Sequence, residues 1–223
     1  MVQNLVQHGY NVRACVRDSS RLDKVAHLVD MGSKGHGSVT LHDCDMFVDG
    51  AYDEAFKGVT CVYHVAAELG STEGATPQSV YDGGMVATQK VLDSVIKSGA
   101  PGTPSVQRFI FTSSFAAVGH PGAPALGGPR LTEADWADMN TPADWADNVA
   151  YDRDIAYAKT KADTERLCYS EAEKHGFEAF GVMPCHVLGP LLCKDHGKPY
   201  AQHAAPNFSL EDDLRSLSCK MHD

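Results

Sequence analysis

Short β-rich apolar runs alternate with helical segments along most of the chain, and this alternation limits the fold more than any other feature. Residues 11–16, 39–42, 60–65, 108–112 and 178–183 read as strands. Between them lie helical segments: the opening residues through His8, stopped by Gly9; residues 21–29, with Ser19 or Ser20 as the N-cap; a short turn at 52–56; residues 79–98; and residues 152–174, stopped by Gly176. Val91, Leu92, Val95 and Ile96 recur at the helical period and define a buried stripe. The run Thr60-Cys61-Val62-Tyr63-His64-Val65 lacks a polar alternation, the pattern of a strand buried on both faces. Strand and helix in this order predict an α/β fold, a doubly wound parallel sheet covered by helices. Residues 32–38 read as a loop. Residues 119–147, rich in Gly, Pro and Asp, read as a long irregular surface segment carrying Ala-Asp-Trp-Ala-Asp twice, from Ala134 and from Ala143.

Composition narrows the class. A chain of 223 residues with 43% hydrophobic content is one domain, or one domain with a short appendage. Its formal net charge of -10 opposes a nucleic acid or an anionic membrane as the main partner. No apolar run approaches the roughly 18 residues of a membrane span. The first nine residues lack the basic and apolar regions of a signal peptide, so a soluble cytoplasmic protein is expected. The seven cysteines are odd in number, scattered and without a Cys-x-x-Cys, which points to reduced thiols. The eleven histidines show no metal-ligand spacing, and no metal is expected.

In a doubly wound sheet, ligands bind outside the carboxyl ends of the strands. Arg17-Asp18 follows the first strand; an arginine there suits a 2′-phosphate and an acid a ribose 2′-hydroxyl, while both also suit an exposed loop. Asp45-Met46 follows the second, where an aspartate meets an adenine amino group or simply makes a turn. Val65-Ala66-Ala67 follows the third, small enough for close approach of a flat ligand. Thr112-Ser113-Ser114 follows the fourth and offers hydroxyls to a substrate oxygen. On the long helix, Tyr157 and Lys161 are four residues apart and share a face. A lysine ammonium beside a phenol favours the phenolate, and a phenol so tuned can pass a proton to or from a carbonyl or alcohol oxygen. Taken alone, the pair reads as a solvated helix face sooner than as a catalytic one.

Taken in order, Val-Arg-Ala-Cys-Val-Arg-Asp, Val-Tyr-His-Val-Ala-Ala, Arg-Phe-Ile-Phe-Thr-Ser-Ser, Tyr-Ala-Lys-Thr-Lys and Met-Pro-Cys-His-Val-Leu-Gly-Pro form a set. From Gly9 to about Cys193 this set resembles the extended short-chain dehydrogenase/reductase family, nearest its dihydroflavonol 4-reductase and cinnamoyl-CoA reductase branch, with 3β-hydroxysteroid dehydrogenases further off. The resemblance implies an NADP-dependent oxidoreductase with a Ser-Tyr-Lys group, acting on a small-molecule ketone, aldehyde or thioester carbonyl or on the corresponding alcohol. Ser114 would hydrogen-bond the substrate carbonyl. Tyr157 would protonate it as hydride arrives from the nicotinamide. Lys161 would bind the nicotinamide ribose and lower the tyrosine pKa. Arg17 would meet the 2′-phosphate, favouring NADPH over NAD. Asp45 and Met46 would line the adenine, and Val65, Ala66 and Ala67 the adenosine and pyrophosphate side. Thr112 would stand at the cofactor, with Pro184 and Val187 near the carboxamide, while Cys185 and His186 shape the pocket wall.

Two departures from the family pattern set further expectations. The family's first strand and its Gly-x-x-Gly-x-x-Gly turn have no counterpart from Met1 onward, and the glycines at 32–37 follow a helix instead of a strand. That strand stands at the sheet's centre, so two strand edges are expected to lie unpaired or to close on each other. Each unmet backbone group costs about 1–3 kcal/mol. Residues 1–193 are therefore expected to form an incomplete Rossmann domain, and residues 194–223 the remnant of a substrate lobe or an irregular tail. A catalytically incompetent fragment or pseudo-enzyme is the alternative reading. A nucleotide-sugar epimerase or dehydratase using NAD is a third, opposed by Arg17 and by the Val-Tyr-His-Val-Ala-Ala run.

Overall fold

The computed structural model describes residues 1–67, 75–118, 131–137, 149–185 and 187, the side chains of 149–154 excepted. Most of the irregular segment expected at 119–147, His186 and the whole of 194–223 lie outside the described residues. Those described fall into two compact units, one comprising Met1–Val12 and Ser20–Val39, the other Arg13–Ser19 and Thr40–Val187.

In the first unit, α1 (Val2–Gln7) packs against α2 (Leu22–Ser33). Gly9 follows α1 with a φ of +85°, a left-handed conformation that glycine adopts without strain. Helix α2 differs from expectation at both ends. It is capped by Arg21 without a side-chain bond, not by Ser19 or Ser20. It also continues through Gly32 to Ser33, where a loop was expected. A Cβ at Gly32 would stand 2.9 Å from the Val39 nitrogen, so glycine is kept there by close approach and not as a stop.

Strand β1 (Asn11–Val16) pairs with β2 (Ser38–Asp43). The second unit is built on β3 (Cys61–His64), β4 (Arg108–Thr112) and β5 (Glu178–Val182), a parallel sheet in that order. Among the described residues β1 and β3 do not pair, so the sheet is in two pieces and its inner edges do not close. Arg13 of β1 reaches α3 (Asp53–Phe56) and its end, donating to the Ala55 and Lys57 carbonyls at 2.9 and 2.8 Å.

Helices α4 (Pro77–Ile96) and α5 (Val149–His175) pack on each other. Val91, Leu92 and Val95 of α4 and Cys168 and Ala172 of α5 join Val62, Phe109 and Phe111 in one buried cluster. Strand β3, expected to be buried on both faces, alternates instead: Val62 and His64 are buried and Tyr63 is exposed. Helix α4 starts earlier than its apolar stripe suggests, because Thr76 and Ser79 form a reciprocal capping box with Pro77 at the first position. A buried glycine, Gly84, lets α4 approach α5. A Cβ there would collide with the Thr160 methyl group, and Thr160 is held by its hydroxyl bond to the Ala156 carbonyl at 2.6 Å.

Replacing a helical glycine with alanine ordinarily stabilises by about 1 kcal/mol. At Gly84 the overpacking cost of about 1–3 kcal/mol reverses that sign. Urea denaturation should find Gly84→Ala less stable than the parent, and Thr160→Ser, which removes the colliding methyl, should recover the loss in the double variant.

Candidate functional site

Helix α5 places Tyr157 and Lys161 on one face, beside the carboxyl end of β4. Lys161 is only 6% exposed. Its Nζ donates to the Thr112 carbonyl at 2.9 Å and lies 5.1 Å from the centre of the Phe111 ring and 5.9 Å from that of Tyr157. Burial pushes the ammonium down to about 8, while the neighbouring Cys168 and Glu165 act in the opposite sense. His64, at the end of β3, lies against Phe109 and Phe111 with ring centres 5.9 and 5.8 Å away. Burial, helped by the charge on Lys161, holds its imidazole down at about 4, so it is neutral at physiological pH. Two threonines on the same helix satisfy their hydroxyls internally, Thr160 at the Ala156 carbonyl and Thr164 at the Thr160 carbonyl.

A cavity opens at this point. Its walls bring together five of the residues singled out from the sequence: Met46, Ala66, Ala67, Tyr157 and Lys161. Thr112 joins them through its carbonyl rather than its hydroxyl. Ser114 stands beside the site but does not line this cavity. Its Oγ accepts from the Ala116 amide at 3.2 Å and caps a single turn at Phe115–Ala117, which leaves the hydroxyl hydrogen to donate. Pro184 is drawn to the same place, its carbonyl accepting from the Phe115 amide at 3.0 Å. Asp45 is engaged in a turn, its Oδ1 accepting from the Phe47 amide at 2.9 Å. Arg17, Val65 and Val187 are exposed and do not line the cavity.

His64, Gly84, Ala87, Thr88, Phe111, Thr160 and Thr164 also line it and were not singled out beforehand. For Gly84 and Thr88 a signal existed: a small and a hydroxyl residue four apart, interrupting the apolar face of α4. For His64 the signal was its place immediately before the small residues that end β3.

A family model, the NAD dependent epimerase/dehydratase family, matches residues 1–210. The chain belongs to this family, the extended short-chain dehydrogenases/reductases. Among curated relatives it is 29% identical over 201 residues to a dihydroflavonol 4-reductase of Solanum lycopersicum, covering 86% of this chain and 47% of that protein. It is 29% identical over 193 residues to cinnamoyl-CoA reductase CAD2 of Medicago truncatula, covering 86% and 55%. In fold it is similar to vestitone reductase of alfalfa (Medicago sativa), with a TM-score of 0.65, 22% identity and coverage of 86% and 54%. It is also similar to Gre2 of Candida albicans in complex with NADPH, with a TM-score of 0.67, 21% identity and coverage of 85% and 54%. These place the chain in a Rossmann-type nucleotide-binding fold. The chain spans about half the length of the curated relatives it matches. Among the described residues no helix is long and apolar enough to cross a membrane.

Lys161 makes the site costly. Between about pH 8 and the ordinary lysine value of 10.5, the unfolded chain holds a proton that the folded chain has released. Stability therefore rises with pH across that window, and below it the full cost of the buried ammonium is borne. Lys161→Met should be more stable than the parent by about 1–3 kcal/mol at pH 7 in urea denaturation, with the difference shrinking above pH 8. A variant less stable at both pH 7 and pH 10 would refute this account.

Proposed function

We propose that this chain carries the proton-donating half of an NADPH-dependent carbonyl reductase, converting a small ketone, aldehyde or thioester carbonyl to the alcohol or running the reverse. The observation that carries the reading is the buried Lys161, pinned to the Thr112 carbonyl with Tyr157 on the same face of α5. Among the described residues the ammonium makes that one hydrogen bond, which leaves two N–H groups for the hydroxyls of a ribose. Ala66 and Ala67 leave room beside it. The residues present thus fit the nicotinamide ribose end of the cofactor, and Arg17, on the loop after β1, favours the 2′-phosphate form. The glycine cradle for the pyrophosphate is not among the residues of this chain.

When bound, the nicotinamide supplies the hydride. The chain's own part is to move a proton. Tyr157 Oη donates it to the substrate oxygen as that oxygen gains charge, Ser114 steadies the same oxygen through its O–H, and Lys161 balances the charge left on Tyr157. Neutral His64 adds no competing charge to the cavity wall. Free cysteines at Cys15, Cys44, Cys61, Cys168 and Cys185 support a reducing, cytoplasmic setting. The printed names of the relatives support a reductase of a small molecule, and the half-length match limits the assignment to a class of substrate.

NADPH titrated into folded protein should bind, and no binding at millimolar cofactor would overturn the proposal. Tyr157→Phe should lower turnover by about 10²–10⁴-fold and leave NADPH affinity unchanged. Equal turnover in that variant would remove Tyr157 from its role.

A further inference from the structure

One turn beyond Lys161 on the same face of α5 lies a carboxylate that the chemistry above does not use. Glu165 is 0% exposed. Its Oε1 accepts from the Tyr169 hydroxyl at 2.8 Å, and Tyr169 Oη in turn accepts from the Gly181 amide of β5 at 3.1 Å. Oε2 is sealed from solvent and has no hydrogen-bond partner. The strand makes room for this arrangement. A Cβ at Gly181 would collide with Glu165 Oε1 and would lie 2.7 Å from Tyr169 Oη, so β5 gives up a side chain in mid-strand to seat the carboxylate.

Burying an acid with one oxygen unbonded is expensive unless a nearby positive charge offsets it. The groups that face Lys161 are few. Among the described residues His64 from β3 is neutral, Thr112 and Phe111 from β4 and Gly84 and Thr88 from α4 carry no charge, Tyr157 and Cys168 come from α5 itself, and Glu165 stands one turn further along α5 without a direct ion pair to the ammonium. Among the described residues Glu165 is the only carboxylate of that set. Helix stability does not explain the pair, because the favourable order puts Glu before Lys and here Lys comes first. Nor does the tie to Tyr169 explain it, since a glutamine oxygen would accept that bond equally well.

We propose that Glu165 is a positioning residue for Lys161, a carboxylate fixed from behind by Tyr169 and the Gly181 amide so that the ammonium stays charged in the dry pocket beside Tyr157. The relay Gly181 N–H to Tyr169 to Glu165 sets where the negative charge stands. This inference rests on the reductase reading for its purpose, but not for its test.

The test follows Lys161 itself by NMR in protein carrying [13Cε]lysine, with the resonance assigned by its loss in Lys161→Arg. Glu165→Gln keeps the shape and the acceptor for Tyr169 and removes only the charge. In that variant the Lys161 titration should fall by about one pH unit relative to the parent. Glu165→Asp, which keeps the charge but withdraws it by a methylene, should fall by less. Circular dichroism checks folding. If Glu165→Gln does not fold, Glu165→Asp carries the test alone, and a titration equal to the parent's overturns the proposal. An unchanged titration in folded Glu165→Gln overturns it as well and leaves Glu165 as a tie between α5 and β5. A parent chain that binds no NADPH fails the reductase reading only; its Lys161 titration still decides this one.

Discussion

The arrangement around the cavity depends on one buried ammonium. Lys161 is held at the end of β4 by a single carbonyl, beneath an aromatic ring, in a region from which water is largely excluded. Each neighbouring choice answers to that charge. His64 stays neutral beside it. The Phe111 ring presents its face. The threonines on α5 turn their hydroxyls back to their own helix, so that none competes for the ammonium's hydrogens. The cluster beneath, from Val91, Leu92, Val95, Phe109 and Cys168, contributes the apolar burial that offsets the cost of seating a charge there.

Much of this was legible in the chain. The strands β1 and β4 fall on their expected residues, because β-branched and aromatic runs bounded by turn residues leave little choice. The pairing of Tyr157 with Lys161 on one face follows from the helical period alone. What was not legible came from contacts between distant segments. Helix α2 continues past Val29 because Gly32 is kept for its fit against Val39 and not as a breaker. Helix α4 starts at Pro77 because its cap lies outside its apolar stripe. Ser114 is seen from the sequence as a hydroxyl at a strand end, but its bond to the Ala116 amide appears only when the chain turns there. Glu165 carried no signal as a buried group, since a glutamate on a charged helix ordinarily faces water.

The division of the sheet bears on how the site survives. Tyr157, Lys161, Glu165 and His64 all stand on the β3–β4–β5 sheet or on the helix packed against it. Their geometry is set by the register of β4 between its two neighbours and by the close approach of α4 to α5 at Gly84. None of it draws on the pairing of β1 with β2. The donor role proposed for Tyr157 thus rests on three strands and two helices that pack within one unit. Arg17 and Asp45, which the proposed reading assigns to the far end of a dinucleotide, follow β1 and β2 instead. On the proposed reading, proton chemistry and cofactor reach are thus carried by different pieces of sheet, and a change that loosens the pairing of β1 with β2 should weaken NADPH affinity before it disturbs the setting of Tyr157 and Lys161.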